Sequence, residues 1–492
     1  MKTSNGTFRL VVLTVTASLI LGTLRYSCPV VTGTVSATAS SPSPSGPYNI
    51  YLPLVLADFP PPPPVFGVEI NRGNVAATIS QAADAGVYWV RYNGILWHEV
   101  EPVQGNFDWG ALDSVASEIQ MIRANGMEPM VIVRGTPAWA QKVPGYYCGP
   151  VKEEYLDAFA NFVRQVVERF KVMPYEVKYW EVGNEPDVHP EAVGPDSPYG
   201  CWGDLGDEYY GGRYYATMLR HVYPAIKQAD PTAQVIFGGL LLVCDPARPP
   251  SPNYCKAAEY LDGALLSGGA SYFDILAYHA YPYWYPDPAN YEWDLQQPYW
   301  KHRGGVVLGK LDYLREVLTR YNVQKPIIMN EGGLMCGWSG GDNYQRCLGG
   351  ALYNAQANYV VRLYARAWSN NVMGTVWYTL NGPGWRAGGL LDDNQQPRAA
   401  YSAFRFLANL LKEAKYAGRL SSATLEGYAF RNNKTHRMYQ IYWSNDSAMT
   451  FNLPRPAGTL AVYNQFGENI TPTTDTITIG FDPIAIIEIS IP

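Results

Sequence analysis

The sequence predicts a (β/α)₈ barrel followed by a small all-β domain of sandwich type. Short apolar runs alternate with amphipathic helical stretches eight times between residues 65 and 411. No Gly-rich phosphate loop accompanies these units, which argues against a doubly wound open sheet. From about residue 416 the pattern changes to β-rich runs broken by Asn, Asp, Gly and Pro.

Taken in order, Val65–Ile70 reads as the first strand, with a helix through Ala85. The second strand is Tyr88–Tyr92 with a helix over Ala111–Asn125, and the third is Met127–Arg134 with Glu153–Lys171. The fourth is Val177–Gly183 with Glu208–Gln228, the fifth Ala233–Gly238 with Ala257–Ser267. The sixth is Phe273–Tyr278 with Leu308–Tyr321, the seventh Pro326–Asn330 with Ala351–Ser369. Met373–Thr379 is the eighth, closed by a helix over Pro397–Leu411. Eight such units in roughly 350 residues suit one barrel. Beyond it, Leu425–Arg431, Met438–Trp443, Ala448–Leu453, Leu460–Tyr463 and Thr476–Ile489 are the expected strands of the second domain. Its expected role is to pack against the barrel, a separate sugar-binding role being the alternative.

Domain boundaries follow: a leader or anchor region at 1–32, a linker at 33–64, the barrel at 65–415 and the β domain at 416–492. Lys2 and Arg9 precede an apolar run from Leu10 to Leu24, a length that suits a signal-peptide core better than a membrane span. An uncleaved N-terminal anchor is the alternative, and no stable span is expected after processing. The linker is rich in Ser, Ala and Pro and ends in a run of prolines, although its segment Tyr51–Leu56 is apolar. Export fits the cysteines. Of the 7, Cys28 lies beside the leader. The others are Cys148, Cys201, Cys244, Cys255, Cys336 and Cys347, without a CxxC pair, so disulfides are a better reading than a zinc site. Fifteen connectivities are open to them; the short spacings favour Cys244–Cys255 and Cys336–Cys347, leaving Cys148–Cys201.

Composition narrows the partner. Of the 492 residues 47% are hydrophobic and only 16% charged, so a large core forms and Tyr, Asn, Gln, Ser and Thr carry much of the surface. A net charge of −6 without a long Lys/Arg run argues against nucleic acid. The 38 Tyr and 14 Trp suit neutral ring-shaped ligands such as sugars, whose CH faces stack on aromatic rings.

Chemistry in such a barrel belongs at the C-terminal ends of its strands. There the fourth strand reads Trp180-Glu181-Val182-Gly183-Asn184-Glu185-Pro186 and the seventh Ile328-Met329-Asn330-Glu331-Gly332-Gly333. Two carboxylates can thus face each other across the mouth, as a nucleophile and an acid/base about 5 Å apart do in retaining glycosidases. Glu181 shares the inward parity of Glu185 but lies deeper, as a partner for an interior cation, and Asp187 has left the strand. The 6 histidines are scattered without an HxH or HxxxH pair, and there is no Gly-x-Ser-x-Gly elbow. No metal and no cofactor are expected.

These motifs resemble clan A of the glycoside hydrolases, particularly family 39 and its neighbours. Asn-Glu-Pro closing the fourth strand and a Glu closing the seventh carry the resemblance. Trp97-His98-Glu99-Val100-Glu101-Pro102, Gly105-Asn106-Phe107-Asp108-Trp109, Thr136-Pro137-Ala138-Trp139-Ala140, His279-Ala280-Tyr281, Trp377 and the late run Phe481-Asp482-Pro483-Ile484 support it. The resemblance implies Glu185 as acid/base and Glu331 as nucleophile. It also implies that Asn184 binds the sugar 2-hydroxyl, Arg91 keeps Glu331 ionised, Tyr281 hydrogen-bonds Glu331, and His279 lines the subsite. Trp377 would form the floor under the sugar ring. Trp139 is a further candidate platform, with Trp97, Trp338 and Trp385 also in rim loops.

The expectation is a secreted or cell-surface retaining glycoside hydrolase acting by double displacement on a β-linked glycan, with aromatic-bearing loops that favour endo-action. An exo-acting β-xylosidase or β-glucosidase, or a transglycosylase, would use the same residues. A sugar-binding barrel without catalysis is the rival outside enzymes.

Overall fold

The structure is a computed structural model that describes residues 65–491 apart from 195–196, 198–199, 252–253, 286–292, 339–346 and the single positions 423 and 483. The leader, the linker with Tyr51–Leu56, and Cys28 lie outside the described residues. Eight parallel strands close a barrel. They are β1 (Phe66–Glu69), β2 (Trp89–Leu96), β3 (Glu128–Arg134), β4 (Tyr179–Val182), β5 (Gln234–Leu240), β6 (Ile275–Ala280), β7 (Ile327–Gly332) and β8 (Thr375–Trp377). Each pairs with its sequence neighbours, and β8 returns to β1 with Phe66 opposite Thr375.

Among the described residues, eight helices of seven residues or more ring the barrel: α1 (Val75–Asp84), α2 (Asp113–Ala124), α3 (Leu156–Phe170), α4 (Gly212–Ala229), α5 (Tyr260–Leu266), α6 (Val306–Arg320), α7 (Gly350–Ser369) and α8 (Ala399–Leu411). The reason they dock is visible in α3. It buries Leu156, Phe159, Ala160, Val163, Val166, Val167 and Phe170, a stripe at helical spacing against the strands. Outward strand residues such as Val131 and Met329 join that shared core. Inward residues form a separate layer of Trp89, Met130, Ile236, Ile275, Ala277, Ile328 and Val376, so the barrel interior is packed.

The C-terminal strands are β9 (Lys415–Arg419), β10 (Leu425–Asn432), β11 (Arg437–Ser444), β12 (Phe451–Pro454), β13 (Thr459–Tyr463), β14 (Thr476–Ile479) and β15 (Ala485–Ser490). Five form an antiparallel sheet in the order β9-β10-β11-β15-β13, while β12 pairs with β14. Leu425, Val462, Ile477, Ile479 and Ile487 fill the space between the two sheets, a small sandwich. Thr476–Ile489 is therefore not one strand but two, in different sheets. The turn that separates them carries Phe481 onto α7, where the Arg362 guanidinium lies 3.8 Å over its ring and donates to its carbonyl at 3.0 Å. Deeper in the same seam Arg366 grips Glu426 of β10 at 2.8 and 2.9 Å and reaches Asp294 at 3.3 Å.

Three disulfides join Cys148 to Cys201, Cys244 to Cys255 and Cys336 to Cys347, the pairing that the spacings favour. All of them lie in loops that follow barrel strands, on the face that carries the polar strand ends. A short parallel bridge between Tyr283–Trp284 and Met335–Cys336 adds a further tie between the loops after β6 and β7. No helix among the described residues is long and apolar enough to cross a membrane.

Candidate active site

Two backbone irregularities bring the glutamates to the barrel mouth. After β4 the chain passes through Gly183 at φ 80° and Glu185 at φ 50°, left-handed conformations that turn it sharply over the barrel. The Glu185 amide then donates to the Gly239 carbonyl at 3.0 Å. In β7 the register shifts: Tyr278 of β6 faces Met329, yet His279 faces Glu331. Simple alternation from inward Ile328 would point Asn330 into the barrel and Glu331 outward. The extra residue reverses this for Glu331, the re-aiming that a β-bulge provides.

A carboxylate oxygen of Glu185 and one of Glu331 lie within 4.8 Å of each other. Both residues are buried, and Glu331 keeps slightly more exposure, at 8% against 2%. Burial raises both carboxyls above their ordinary range. For Glu185 the neighbouring Glu331 and Asp187 add to that rise and carry it well up. For Glu331, Arg91 and Tyr281 pull in the opposite direction. The two carboxyls thus sit in environments that drive their protonation apart.

Arg91 is the hub beneath them. Its Nη1 donates to Glu331 and to Glu69, each at 2.5 Å, its Nε and Nη2 hold Glu181 at 2.8 and 2.9 Å, and Nη2 also meets Asn184 Oδ1 at 2.5 Å. Glu181 is therefore the partner of an interior cation that its depth suggests. Glu69 is a third carboxylate that the sequence reading missed; burial outweighs Arg91 and pushes it up to about 8. Its inward parity on β1 was the available signal.

His279 stands between the glutamates, with Nδ1 2.7 Å from Glu185 and Nε2 3.7 Å from Glu331. Burial, Arg91 and Lys310 hold its pKa well below the usual value, so the ring is neutral. Gly239 makes room for it, since a Cβ there would collide with Nε2. The Tyr281 hydroxyl donates to Glu331. Lys310, on α6 and also missed, donates to the carbonyls of Leu241 and His279 at 2.6 and 2.9 Å. Glu185, His279 and Glu331 converge as metal ligands can, but the Arg91 guanidinium against Glu331 makes this a poor site for a cation.

The aromatic candidates separate. Trp377 is 0% exposed and its Nε1 donates to the Gly388 carbonyl at 2.8 Å, so it lies beneath the surface of the mouth. Trp139 is held by Trp97 and Tyr155, each ring 5.1 Å away, and by the Glu101 carbonyl. Trp385 differs: it is 41% exposed and meets Tyr281 edge-on at 5.6 Å. Arg386, at φ 50°, lies 5.0 Å from both the Trp385 and Tyr283 rings and donates to the Cys336 and Gly337 carbonyls. This bolts the loop after β8 to the disulfide-bearing loop after β7.

No family profile matches the chain. One stretch of 125 residues is 28% identical to the β-galactosidase LacZ of Heyndrickxia coagulans, covering 21% of this chain and only 18% of that protein's length. Solved structures are alike over far more of the chain. A family 39 glycoside hydrolase from Bacteroides cellulosilyticus WH2 superposes with a TM-score of 0.63 at 18% identity, over 86% of this chain and 81% of that one. A family 30 subfamily 8 xylanase from Clostridium acetobutylicum gives 0.52 at 14% identity, over 87% and 96%. A family 51 α-L-arabinofuranosidase from Thermotoga petrophila RKU-1 gives 0.55 at 15% identity, over 87% and 97%. The chain thus has the barrel-plus-β-domain fold found in glycoside hydrolases of families 39, 30 and 51, in keeping with the clan its motifs resemble.

Proposed function

We propose that this protein is a retaining glycoside hydrolase, exported from the cell, that cleaves β-linked glycans internally. The observation that carries the reading is the close approach of Glu185 and Glu331 across the mouth, near the separation used for double displacement. Glu331, its charge favoured by Arg91 and Tyr281, attacks the anomeric carbon. Glu185, protonated by virtue of its environment, gives its proton to the leaving oxygen. In the second half Glu185 takes a proton from water, which displaces Glu331 with a second inversion, so the configuration is retained overall. Asn184 is oriented by Arg91 through its Oδ1 for the sugar hydroxyl beside the reacting carbon. The three disulfides and the apolar N-terminal run support export.

The test is reducing-end release by the chain lacking residues 1–64 on xylan, β-1,3- and β-1,4-glucan, mannan and galactan. Glu331→Gln is the control, and proton NMR follows the first-formed anomer. Oligosaccharides that first appear in the configuration of the substrate, and are absent with the variant, are expected. An inverted first product, or undiminished activity of Glu331→Gln, overturns the assignment.

A further inference from the structure

Arg134 ends β3 on the inward side of the barrel, with the parity of Met130 in the interior layer. It belongs to the same mouth as Arg91, whose register partner is Met130, yet the two arginines are in opposite situations. Every nitrogen of the Arg91 guanidinium meets an oxygen acceptor. Among the described residues Arg134 makes one hydrogen bond, from Nε to Asn93 Oδ1 at 2.8 Å, and no carboxylate lies within ion-pair distance of it. The nearby acids are committed elsewhere: Glu69 to Arg91 and Glu99 to Arg72 at 2.6 Å.

Burial lowers the Arg134 pKa to about 10 against the pull of Glu69, so the group stays charged at neutral pH without a counter-ion. It is only partly buried, and the side chain reaches solvent. Asn93 has its amide oxygen turned to Arg134, which leaves its nitrogen as a donor. The remaining N–H groups of the guanidinium and that amide together form a cluster of donors without an acceptor among the described residues. A neutral sugar hydroxyl there would satisfy one N–H and leave the charge uncompensated. A carboxylate or sulfate would take the planar fork through two oxygens and neutralise it. The protein as a whole is acidic, with a net charge of −6, so an anionic ligand needs such a local cation to approach.

We propose that Arg134 and Asn93 form a recognition site for an anionic substituent on the glycan, a hexuronate carboxylate or a sulfate ester, and that the substrate is an acidic glycan. This rests on the glycosidase reading above and names the substrate class for that same mouth.

The experiment uses polymer pairs that differ only in the acidic group: glucuronoxylan and hyaluronan with their carboxyl-reduced forms, and a sulfated galactan with its desulfated form. Initial rates are compared for the wild-type chain, Arg134→Gln and Arg134→Lys. The acidic member of one pair is expected to be cleaved about tenfold to a hundredfold faster than its neutral twin, the worth of a charge-assisted pair. Arg134→Gln should bring that ratio to near one and Arg134→Lys should restore part of it. The carboxyl and sulfate arms decide which group is read. Equal rates within every pair, or a ratio that Arg134→Gln does not move, overturn the inference while the glycosidase reading stands. If nothing is cleaved, the glycosidase reading falls and calorimetric titration of the matching oligosaccharides decides the rest. Tighter binding of the acidic member, lost in Arg134→Gln, upholds the site; equal binding or none overturns it.

Discussion

His279 places Nδ1 2.7 Å from Oε1 of Glu185, so a neutral imidazole touches the carboxyl assigned to proton transfer. A neutral ring carries one N–H, and its two nitrogens look toward the two glutamates. With Glu185 protonated, its hydroxyl can donate to Nδ1 while Nε2–H points toward the Glu331 carboxylate. This arrangement favours the protonation pattern needed for the first chemical step.

The pH profile of kcat/KM should therefore be a bell displaced upward. Glu185 must be protonated, and burial raises it, so activity persists below its raised pKa and falls as pH climbs through it. Glu331 must be ionised, and its own rise places the acid limb above the ordinary carboxyl value of 4.5. Removing a hydrogen bond to the ionised form, as in Tyr281→Phe, should move the acid limb further up by about half to one unit. Rates measured from roughly pH 4 to 9 check this. An acid limb that shifts downward in the variant would contradict it.

Replacing the acid/base should be partial where replacing the nucleophile is complete. Glu185→Gln is expected to lower kcat about 10²–10⁴-fold on substrates with poor leaving groups. Aryl glycosides with an acidic phenol, which leave without a proton, should be affected far less in the glycosylation step. Pre-steady-state release of the phenol measures this directly. Equal losses for both substrate types would argue against Glu185 as the proton donor.

The two tryptophans should respond in opposite ways. Trp385→Ala removes an exposed ring from the rim, so KM on polymer should rise with the unfolding midpoint nearly unchanged. Trp377→Ala empties a fully buried site and should cost about 3–5 kcal/mol of stability. Thermal unfolding and polymer kinetics on both variants separate a binding surface from a packed support.

The seam between barrel and β sandwich should be acid-sensitive. Burial opposes the charge of Glu426, but Arg366, Tyr428 and Asn445 outweigh it and hold its pKa to about 2 against 4.5. A depressed carboxyl stabilises fully above its unfolded value and loses that contribution as pH falls toward the folded one. Unfolding midpoints should thus decline between about pH 4.5 and 2. Glu426→Gln should flatten that decline and, at neutral pH, cost about 1.5–3 kcal/mol, the worth of a charge-assisted hydrogen bond, because Arg366 keeps Asp294 as a charged partner.

Much of the fold was legible because parallel barrel strands are covered on both faces and read as unbroken apolar runs. Their helices show one apolar stripe each. What failed has local causes. Asn93-Gly94 looks like a turn, yet β2 continues to Leu96 through an irregularity between Tyr92 and Ile95. The edge strand β9, Lys415–Arg419, is largely exposed, so it carries no hydrophobic period. In the candidate site, Glu185 and Glu331 could be named from strand ends. The bulge that turns Glu331 inward could not, because it depends on the register between β6 and β7. Nor does sequence tell which of several inward charges meet: Arg91 takes Glu69, Glu181 and Glu331 together, and among the described residues Arg134 is left with Asn93 alone.

The crosslinks divide the molecule by vulnerability. None of the three disulfides ties one barrel strand to another; each staples loops that shape the mouth, and Cys336–Cys347 lies in the segment that Arg386 clasps from the neighbouring loop. A stapled loop has already given up most of its wandering before a glycan arrives, so less is lost in ordering it on binding. In a reducing milieu the frame would stand while its fingers slackened. The chemistry would remain in place, and the grip that delivers substrate to it would be what the environment takes away.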